Sequence, residues 1–331
     1  MLPSPADVIS AAHRLREIIE RTPLIRSASL SGAAGVDVYL KCENLQRTGS
    51  FKIRGAYAAL SSLPTDVRAR GIVASSAGNH GLGIALSAQF LGIRARVFVP
   101  QDAPSVKRDG ILRHGAEIDQ TQPDYDSAHV AAVAYADAHG MTFVNPCAGA
   151  TLLAGQGTVA LEILEELPNV RTVIVPVGGG GLVGGVGVLL RAVAPHVRIV
   201  GAQTENTNAM AAALDAGHPV DIELRPTIAD GLAGQVDEDG VAIGRFAIDE
   251  MVVVTEAKTA EAIAWAAREH DLRVEGSGAV GIAAVLQAGR SALAGPIAIV
   301  VSGGNIDDAR WRALTSSWSR PADESTPRDI R

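Results

Sequence analysis

One uncharged stretch, residues 172–190, limits the folds open to this chain more than any other segment. It begins with a run of apolar β-forming residues, passes through four consecutive glycines at 178–181, and continues into a second apolar run. About 18 apolar residues can cross a bilayer, but seven glycines interrupt this stretch. We therefore predict a buried parallel strand, a glycine turn and a helix instead of a transmembrane span.

The same order of elements recurs along the chain, since short β-like runs alternate with segments of helical periodicity. The predicted strands cover residues 36–41, 71–75, 95–99, 117–118, 142–144, 172–177, 198–202, 250–254 and 297–301. The predicted helices include residues 6–20, 106–114, 127–139, 156–166, 260–270 and 279–287, and one that ends at 91. This alternation predicts an α/β protein whose parallel sheets are flanked by helices.

Length, charge and cysteine content further limit the class of protein to which the chain can belong. A chain of 331 residues suggests roughly two domains. The net charge of −7, with no basic run, argues against a nucleic-acid binder. Cys42 and Cys147 lack metal-ligand spacing, which favours a reducing compartment. Because the first residues do not resemble a secretory signal, we expect a cytoplasmic protein without nucleic-acid or membrane partners.

The glycine loop predicts an anion site. Four glycines between a buried strand and a helix turn backbone N–H groups and a helix N-terminus toward a phosphate. A tight turn with close packing is the alternative, but it does not require four successive glycines.

The same loop contains Gly179-x-Gly181-x-x-Gly184, followed by a strand and then Glu205, which is a dinucleotide fingerprint in its expected context. A nicotinamide-dependent oxidoreductase is therefore a competing interpretation. It leaves Lys52 and two further polar loops without a function.

Lys52 is the candidate for the residue that carries the chemistry. It follows Phe51 just inside an apparent helix that is rich in alanine. A partly desolvated ammonium loses its proton more easily, and a neutral amine can form a Schiff base. The alternative is an ordinary solvated lysine near a helix start.

Four polar or glycine-rich elements lie at or near predicted strand ends, where open α/β sheets bind ligands. They are a lysine, a phosphate loop, an asparagine-bearing loop and a serine after the last strand. These are the parts needed to hold an aldehyde cofactor with a phosphate arm, which would be pyridoxal phosphate.

Motifs in these elements resemble those of a known family. The matching stretches are Gly-Ser-Phe-Lys-Ile-Arg-Gly-Ala at 49–56, Ser-Ala-Gly-Asn-His-Gly at 76–81, Ala-Gly-Gln-Gly-Thr at 154–158, Pro-Val-Gly-Gly-Gly-Gly-Leu at 176–182, Thr-Ile-Ala-Asp-Gly at 227–231 and Ser-Gly-Gly-Asn at 302–305. Over residues 5–315 the chain resembles the fold type II pyridoxal-phosphate enzymes, and most of all the serine/threonine dehydratases, or threonine ammonia-lyases. The resemblance implies a two-domain fold of the tryptophan synthase β type.

The resemblance also implies domain limits and assembly. The large domain would comprise residues 1–69 and 148–316, and the small domain residues 70–147. The polar, proline-bearing composition of residues 317–331 separately predicts a disordered tail. The active site would lie in the cleft between the domains. Relatives are usually dimers or tetramers, so we expect a homodimer or homotetramer.

Residue roles follow from the matched motifs. Lys52 would be the Schiff-base lysine, Asn79 would bond the ring hydroxyl, and Ser302 would face the pyridine nitrogen. Phe51 would pack against the cofactor, and its phosphate would be held by Gly178, Gly179, Gly180, Gly181 and Leu182. The substrate carboxylate would be gripped by Ser76, Ala77, Gly78, Asn79 and His80. We interpret His80 as part of this loop and assign the proton transfer to Lys52.

The implied reaction is β-elimination. Lys52 would remove the α-proton, the β-hydroxyl would leave, and L-threonine or L-serine would yield 2-oxobutyrate or pyruvate and ammonia. A neutral partner at Ser302 favours elimination over transamination. Another 3-hydroxy amino acid, or serine racemisation, is the alternative. Ala77 stands where racemases carry a second serine, which argues against racemisation.

Two further departures from the family matter. Gln203 and Ala209 replace the carboxylates with which some relatives bind a divalent cation, so we expect no metal site or a weak one. Glu275 is followed by glycine where many relatives have proline. Loop geometry near the cofactor could differ there.

Overall fold

The computed structural model describes residues 2–76, 78–101, 103, 105–289 and 293–316. Ala77 and the tail expected at 317–331 lie outside these ranges. The strands, in chain order, are β1 (Leu24–Arg26), β2 (Val38–Lys41), β3 (Ile72–Ser75), β4 (Ala95–Pro100), β5 (Glu117–Gln122), β6 (Thr142–Phe143), β7 (Thr172–Pro176), β8 (Arg198–Thr204), β9 (Glu250–Val254) and β10 (Ile297–Val300).

The helices connect these strands and cover the faces of the sheets. In chain order they are α1 (Pro5–Leu15), α2 (Ala28–Ala34), α3 (Lys52–Ser61), α4 (Thr65–Arg70), α5 (Asn79–Leu91), α6 (Ser105–Arg113), α7 (Tyr125–His139), α8 (Ala150–Glu166), α9 (Gly181–Val193), α10 (Ala209–Ala216), α11 (Glu238–Ala247), α12 (Glu256–His270), α13 (Gly276–Ala288) and α14 (Asp308–Ser316).

Two sheets organise the chain. The larger has six strands in the order β1-β2-β10-β7-β8-β9, and the smaller has four in the order β5-β4-β3-β6. The smaller sheet is parallel throughout, whereas β1 of the larger sheet runs antiparallel to β2. The predicted α/β class with parallel sheets is confirmed, and β1 is the exception that the sequence did not reveal. The predicted domain limits stay a prediction, although β3–β6 all fall within residues 70–147.

The uncharged stretch 172–190 forms the centre of the larger sheet and the helix beside it. Every residue of β7 is buried, and so are the first ten residues of α9. Val173 and Val175 face the cluster formed with α8 and α9, whereas Ile174 faces the cluster formed with α12 and α13. The stretch is apolar because the strand is covered on both faces. No helix in the described ranges is both long and apolar enough to cross a membrane.

Helix α3 links the cores of the two sheets. Ala58 packs into a cluster of the larger sheet, while Ala56 and Leu60 pack into a cluster of the smaller one. Lys52 is the first residue of this helix. The fold therefore places Lys52 at the junction between the two sheets.

Some predicted limits were wrong. The helix expected over 6–20 ends at Leu15, because the N–H of Ile18 then bonds to the carbonyl of Leu15 in a tighter turn. Helix α8 begins at Ala150, six residues before the predicted start. Helices α2, α4, α10, α11 and α14 were not predicted. Most of these are short, and short helices carry too few turns for a clear periodic signal.

Candidate active site

The backbone of a neighbouring strand end positions Lys52. Gly49 has a φ of 69°, which turns the chain into α3. The N–H of Phe51 then donates to the carbonyl of Ser302 at 3.1 Å. The start of α3 is therefore tied to the loop that follows β10, as expected for groups gathered at the carboxyl edge of a parallel sheet.

The Lys52 side chain is half-buried and contacts a segment that also lies against the glycine loop. Its Nζ donates to the carbonyl of Pro146 at 3.1 Å and lies 5.3 Å from the centroid of the Phe51 ring. A β-carbon on Gly179 would come within 3.0 Å of Cys147 Sγ, and one on Gly181 within 3.1 Å of Cys147 Cα. Cys147 follows Pro146 in the chain. These two residues therefore form one short segment that contacts both Lys52 and the glycine loop.

The glycine loop itself forms the entrance to a helix. Gly180, with a φ of 92°, is the N-cap of α9. Among the described residues, the N–H groups of Gly178, Gly179 and Gly180 donate no hydrogen bond. Free N–H groups at a helix N-terminus bind anions, because the helix dipole and the donors act together. The loop fits the phosphate group that its sequence predicts.

The loop that follows β3 brings His80 close to Lys52. The His80 imidazole is buried, and its Nε2 donates to the carbonyl of Val144 at 3.2 Å. Burial, together with the nearby Lys52 charge, lowers the pKa of His80 to about 3. His80 is therefore neutral at neutral pH and cannot serve as a proton donor of ordinary acidity.

Other members of the same loop are described only in part. The N–H of Gly78 donates to Ser76 Oγ at 3.1 Å, and α5 begins at the next residue, Asn79. Ala77 lies between them and outside the described residues. The expected carboxylate grip by this loop is untested and stays a prediction.

Asn79 contacts two residues that sequence analysis did not assign to the site. Its Nδ2 donates to Glu275 Oε1 at 2.6 Å, and its Oδ1 accepts from Asn305 Nδ2 at 2.7 Å. The asparagine at 305 belongs to a motif that the sequence singled out, but its partner could not be inferred, because the two residues are 226 positions apart.

Ser302 follows β10 and is buried. Its Oγ lies 3.4 Å from the carbonyl of Ser277, to which it donates a long hydrogen bond. The hydroxyl group is neutral, as the role expected for it requires. Ser302, Lys52 and the glycine loop follow the neighbouring strands β10, β2 and β7 of the larger sheet, whereas Asn79 follows β3 of the smaller sheet and reaches them through Asn305.

Two residues considered at the sequence level have other contacts. Glu205 accepts a hydrogen bond from the N–H of Glu256 at 2.9 Å, so it supports the start of α12. Gln203 Oε1 accepts from the N–H of Ala211 at 3.0 Å. In the described part of the chain, no three potential ligand side chains are grouped to hold a metal ion. Cys42 and Cys147 are both free thiols.

A buried network of charged groups lies two residues beyond Lys52. The Arg54 guanidinium donates to both carboxyl oxygens of Glu43, at 2.7 Å each, and to those of Glu162 at 2.6 and 3.0 Å. Lys41 Nζ lies 2.6 Å from a Glu162 oxygen. Burial alone would lower the pKa of Arg54, but the two carboxylates raise it above its usual value. The network joins α3 to α8 and to the segment after β2.

A half-buried lysine at a helix start and a loop of free N–H groups, both following strands of a mostly parallel sheet, are the features expected of a fold type II pyridoxal-phosphate enzyme. The family model "Pyridoxal-phosphate dependent enzyme" matches residues 15–303. The chain therefore belongs to this family, and pyridoxal phosphate is its cofactor. The competing interpretation as a nicotinamide-dependent oxidoreductase was wrong.

Individual relatives show which members of the family this chain resembles. The chain is 43% identical over 302 residues to L-threonine ammonia-lyase of Thermotoga maritima, covering 91% of this chain and 75% of the relative. It is 34% identical to serine racemase of Arabidopsis thaliana, covering 94% and 97% of the two chains. The solved structure of the processed form of threonine deaminase isoform 2 from Solanum lycopersicum superposes with a TM-score of 0.88 at 31% identity, covering 94% and 91%.

Proposed function

We propose that the protein is a pyridoxal-phosphate-dependent lyase that converts L-threonine, L-serine or both into 2-oxobutyrate or pyruvate and ammonia by β-elimination. The observation that carries the proposal is that the Lys52 amine bonds to the carbonyl of Pro146, whose neighbour Cys147 lies against the glycine loop. The likeness to an L-threonine ammonia-lyase at 43% identity supports the choice of substrate.

When bound, the cofactor withdraws electrons from the α-carbon of an amino acid. In the proposed site, Lys52 would hold the cofactor through its aldehyde, and the amine of Lys52 would take the α-proton of the substrate. The N–H groups of residues 178–182 hold the phosphate, and Phe51 packs against the ring. The loop of Ser76, Gly78, Asn79 and His80, together with Ala77, binds the substrate carboxylate with backbone N–H groups at the start of α5.

Ser302 directs the reaction in this proposal. A neutral hydroxyl leaves the ring nitrogen unprotonated, so negative charge at the α-carbon is stabilised less than it would be with a carboxylate partner. Loss of the β-hydroxyl then competes well with slower transfers of the amino group.

The experiment is a substrate panel with the purified protein. We expect a visible absorbance band that borohydride abolishes and that Lys52→Ala lacks, together with 2-oxo acid release from L-threonine or L-serine. A colourless protein that binds no pyridoxal phosphate would overturn the proposal. Formation of D-serine from L-serine, without 2-oxo acid, would assign the site to racemisation instead.

We also propose that the enzyme works as a homodimer or homotetramer in the cytoplasm, as first expected from its sequence. Light scattering of the holoenzyme measures the subunit number directly. A monodisperse monomer with full activity would contradict that part of the proposal.

A further inference from the structure

We propose that Glu275 and Asn305 are positioning residues that fix the side-chain amide of Asn79, so that it presents an N–H and not its carbonyl to the ring oxygen of the cofactor. This inference rests on the proposed role of Asn79 at that oxygen. It assigns to the two partner residues a function that their own motifs did not suggest.

The orientation of the amides follows from one acceptor. Asn305 Nδ2 donates to the carbonyl of Thr48 at 2.7 Å, and a backbone carbonyl can only accept. The amino group of Asn305 is therefore on the side of Thr48 and Asn79. Its second N–H donates to Asn79 Oδ1 at 2.7 Å. The Asn79 carbonyl is consequently occupied.

Glu275 fixes the other half of the Asn79 amide. Asn79 Nδ2 donates to Glu275 Oε1 at 2.6 Å. If the amide turned by a half rotation, its amino group would face the amino group of Asn305 and its carbonyl would face a carboxyl oxygen. Both contacts would be repulsive. Only one orientation satisfies both neighbours, and it leaves one N–H of Asn79 without an acceptor among the described residues.

Close packing keeps the chain of hydrogen bonds in place. A β-carbon on Gly303 would collide with Glu275 Oε1, and one on Gly49 would collide with the side chain of Asn305. The backbone N–H of Glu275 also donates to the carbonyl of Gly303 at 3.1 Å. Glu275 is only 4% exposed, so water competes little for its carboxyl group.

The three residues come from both sheets. Asn79 begins α5 after β3 of the smaller sheet, whereas Glu275 precedes α13 and Asn305 follows β10 of the larger sheet. The orientation of the amide therefore depends on how the two sheets meet. An N–H donor stabilises a ring oxygen that carries negative charge, and a carbonyl in its place would repel it.

The experiment compares holoenzyme variants by the wavelength of the visible band and by the dissociation constant for pyridoxal phosphate. We expect Asn305→Ala and Glu275→Ala to shift the band and to weaken cofactor retention about tenfold, the loss expected for one hydrogen bond. Glu275→Gln should retain most of the wild-type behaviour, because its amide oxygen can still accept from Asn79.

The Asn79→Ala background separates positioning from a direct effect. If Glu275 and Asn305 act through Asn79, then adding Asn305→Ala to Asn79→Ala should change neither the band nor the dissociation constant further. Asn44→Ala is the matched control, since Asn44 Nδ2 donates to the carbonyl of Arg273 at 3.1 Å between nearby loops and does not touch Asn79. It should lower the melting temperature without moving the band.

Two results would overturn this inference and leave the proposed function unaffected. One is a wild-type band and dissociation constant in both alanine variants, whatever their melting temperatures. The other is an equal shift from Asn305→Ala with and without Asn79. A wild-type protein that forms no borohydride-sensitive band would instead overturn the proposed function, and this inference with it.

Discussion

Two cations on one helix, Lys52 and Arg54, have opposite surroundings. Arg54 is fully buried, and two edges of its planar guanidinium each donate to a carboxylate, one to Glu43 and the other to Glu162. Lys52, two residues earlier, is half-buried, and its Nζ donates to a backbone carbonyl. Within the described ranges it forms no ion pair.

The difference separates a structural role for Arg54 from a chemical role for Lys52. A guanidinium that is held by two carboxylates cannot move or release a proton, so Arg54 suits an anchor for α3. An amine that is held by one carbonyl can be displaced and can react, which Lys52 must do in the proposed mechanism. Helix α3 therefore carries an anchored cation, Arg54, and a cation held by a backbone carbonyl, Lys52, about half a turn apart.

The largest effect on activity is expected from Lys52→Ala. Release of 2-oxo acid should fall by at least about a thousandfold, because both the covalent attachment and the proton transfer are lost. The melting temperature of the apoprotein should stay within a few degrees of wild type. Lys258→Ala, at a partly exposed ion pair with Glu261, is the control and should keep full activity. Retained turnover in Lys52→Ala would show that the chemistry lies elsewhere.

The largest effect on stability is expected from Arg54→Met. Removing the guanidinium leaves Glu43 buried without its cation and leaves Glu162 with Lys41 as its remaining cation, which should cost about 3–5 kcal/mol of unfolding free energy. Urea unfolding of the apoprotein measures it. The control Arg70→Met breaks an exposed pair with Asp66, which should cost less than about 0.5 kcal/mol. Equal losses from the two substitutions would mean that Arg54 is no anchor.

A smaller effect is expected from changing the partner of the ring nitrogen. Ser302→Asp places a carboxylate where the hydroxyl lies, and should slow 2-oxo acid release about tenfold while favouring side reactions such as transamination. Ser302→Ala is the neutral comparison and should stay closer to wild type. If Asp and Ala have the same rates and products, the charge at this position does not direct the reaction.

The smallest of these effects is expected from His80→Asn, which should alter how the free energy of unfolding depends on pH. His80 has a pKa of about 3 in the fold, against 6.5 in the unfolded chain, so the unfolded chain binds more protons between these values. The stability that His80 contributes is thus complete above pH 6.5 and declines as the pH falls toward 3. Urea unfolding at pH 7.5 and 5 should show a difference between wild type and variant that shrinks at the lower pH. A constant difference would exclude a neutral, buried His80.

Much of the architecture was accessible from the sequence. Residues 172–190 predicted a buried strand, a glycine turn and a helix, all three of which the structure contains, because strands covered on both faces are apolar. Periodicity located nine of the ten strands, and missed the short antiparallel β1. Lys52 was predicted because its motif is local.

What the sequence could not supply is the set of partners that lie far apart along the chain. Nothing near Asn79 identifies Glu275 and Asn305, and nothing near Arg54 identifies Glu162, because these pairs form only when the sheets and helices pack. Sequence by itself determined the class of fold and the cofactor, since alternating strands and helices and short local motifs carry both, and it predicted Lys52 as the reacting residue from one such motif. Only the tertiary structure decided that Arg54 is paired with carboxylates while Lys52 bonds to a backbone carbonyl, since that depends on groups brought together from distant segments.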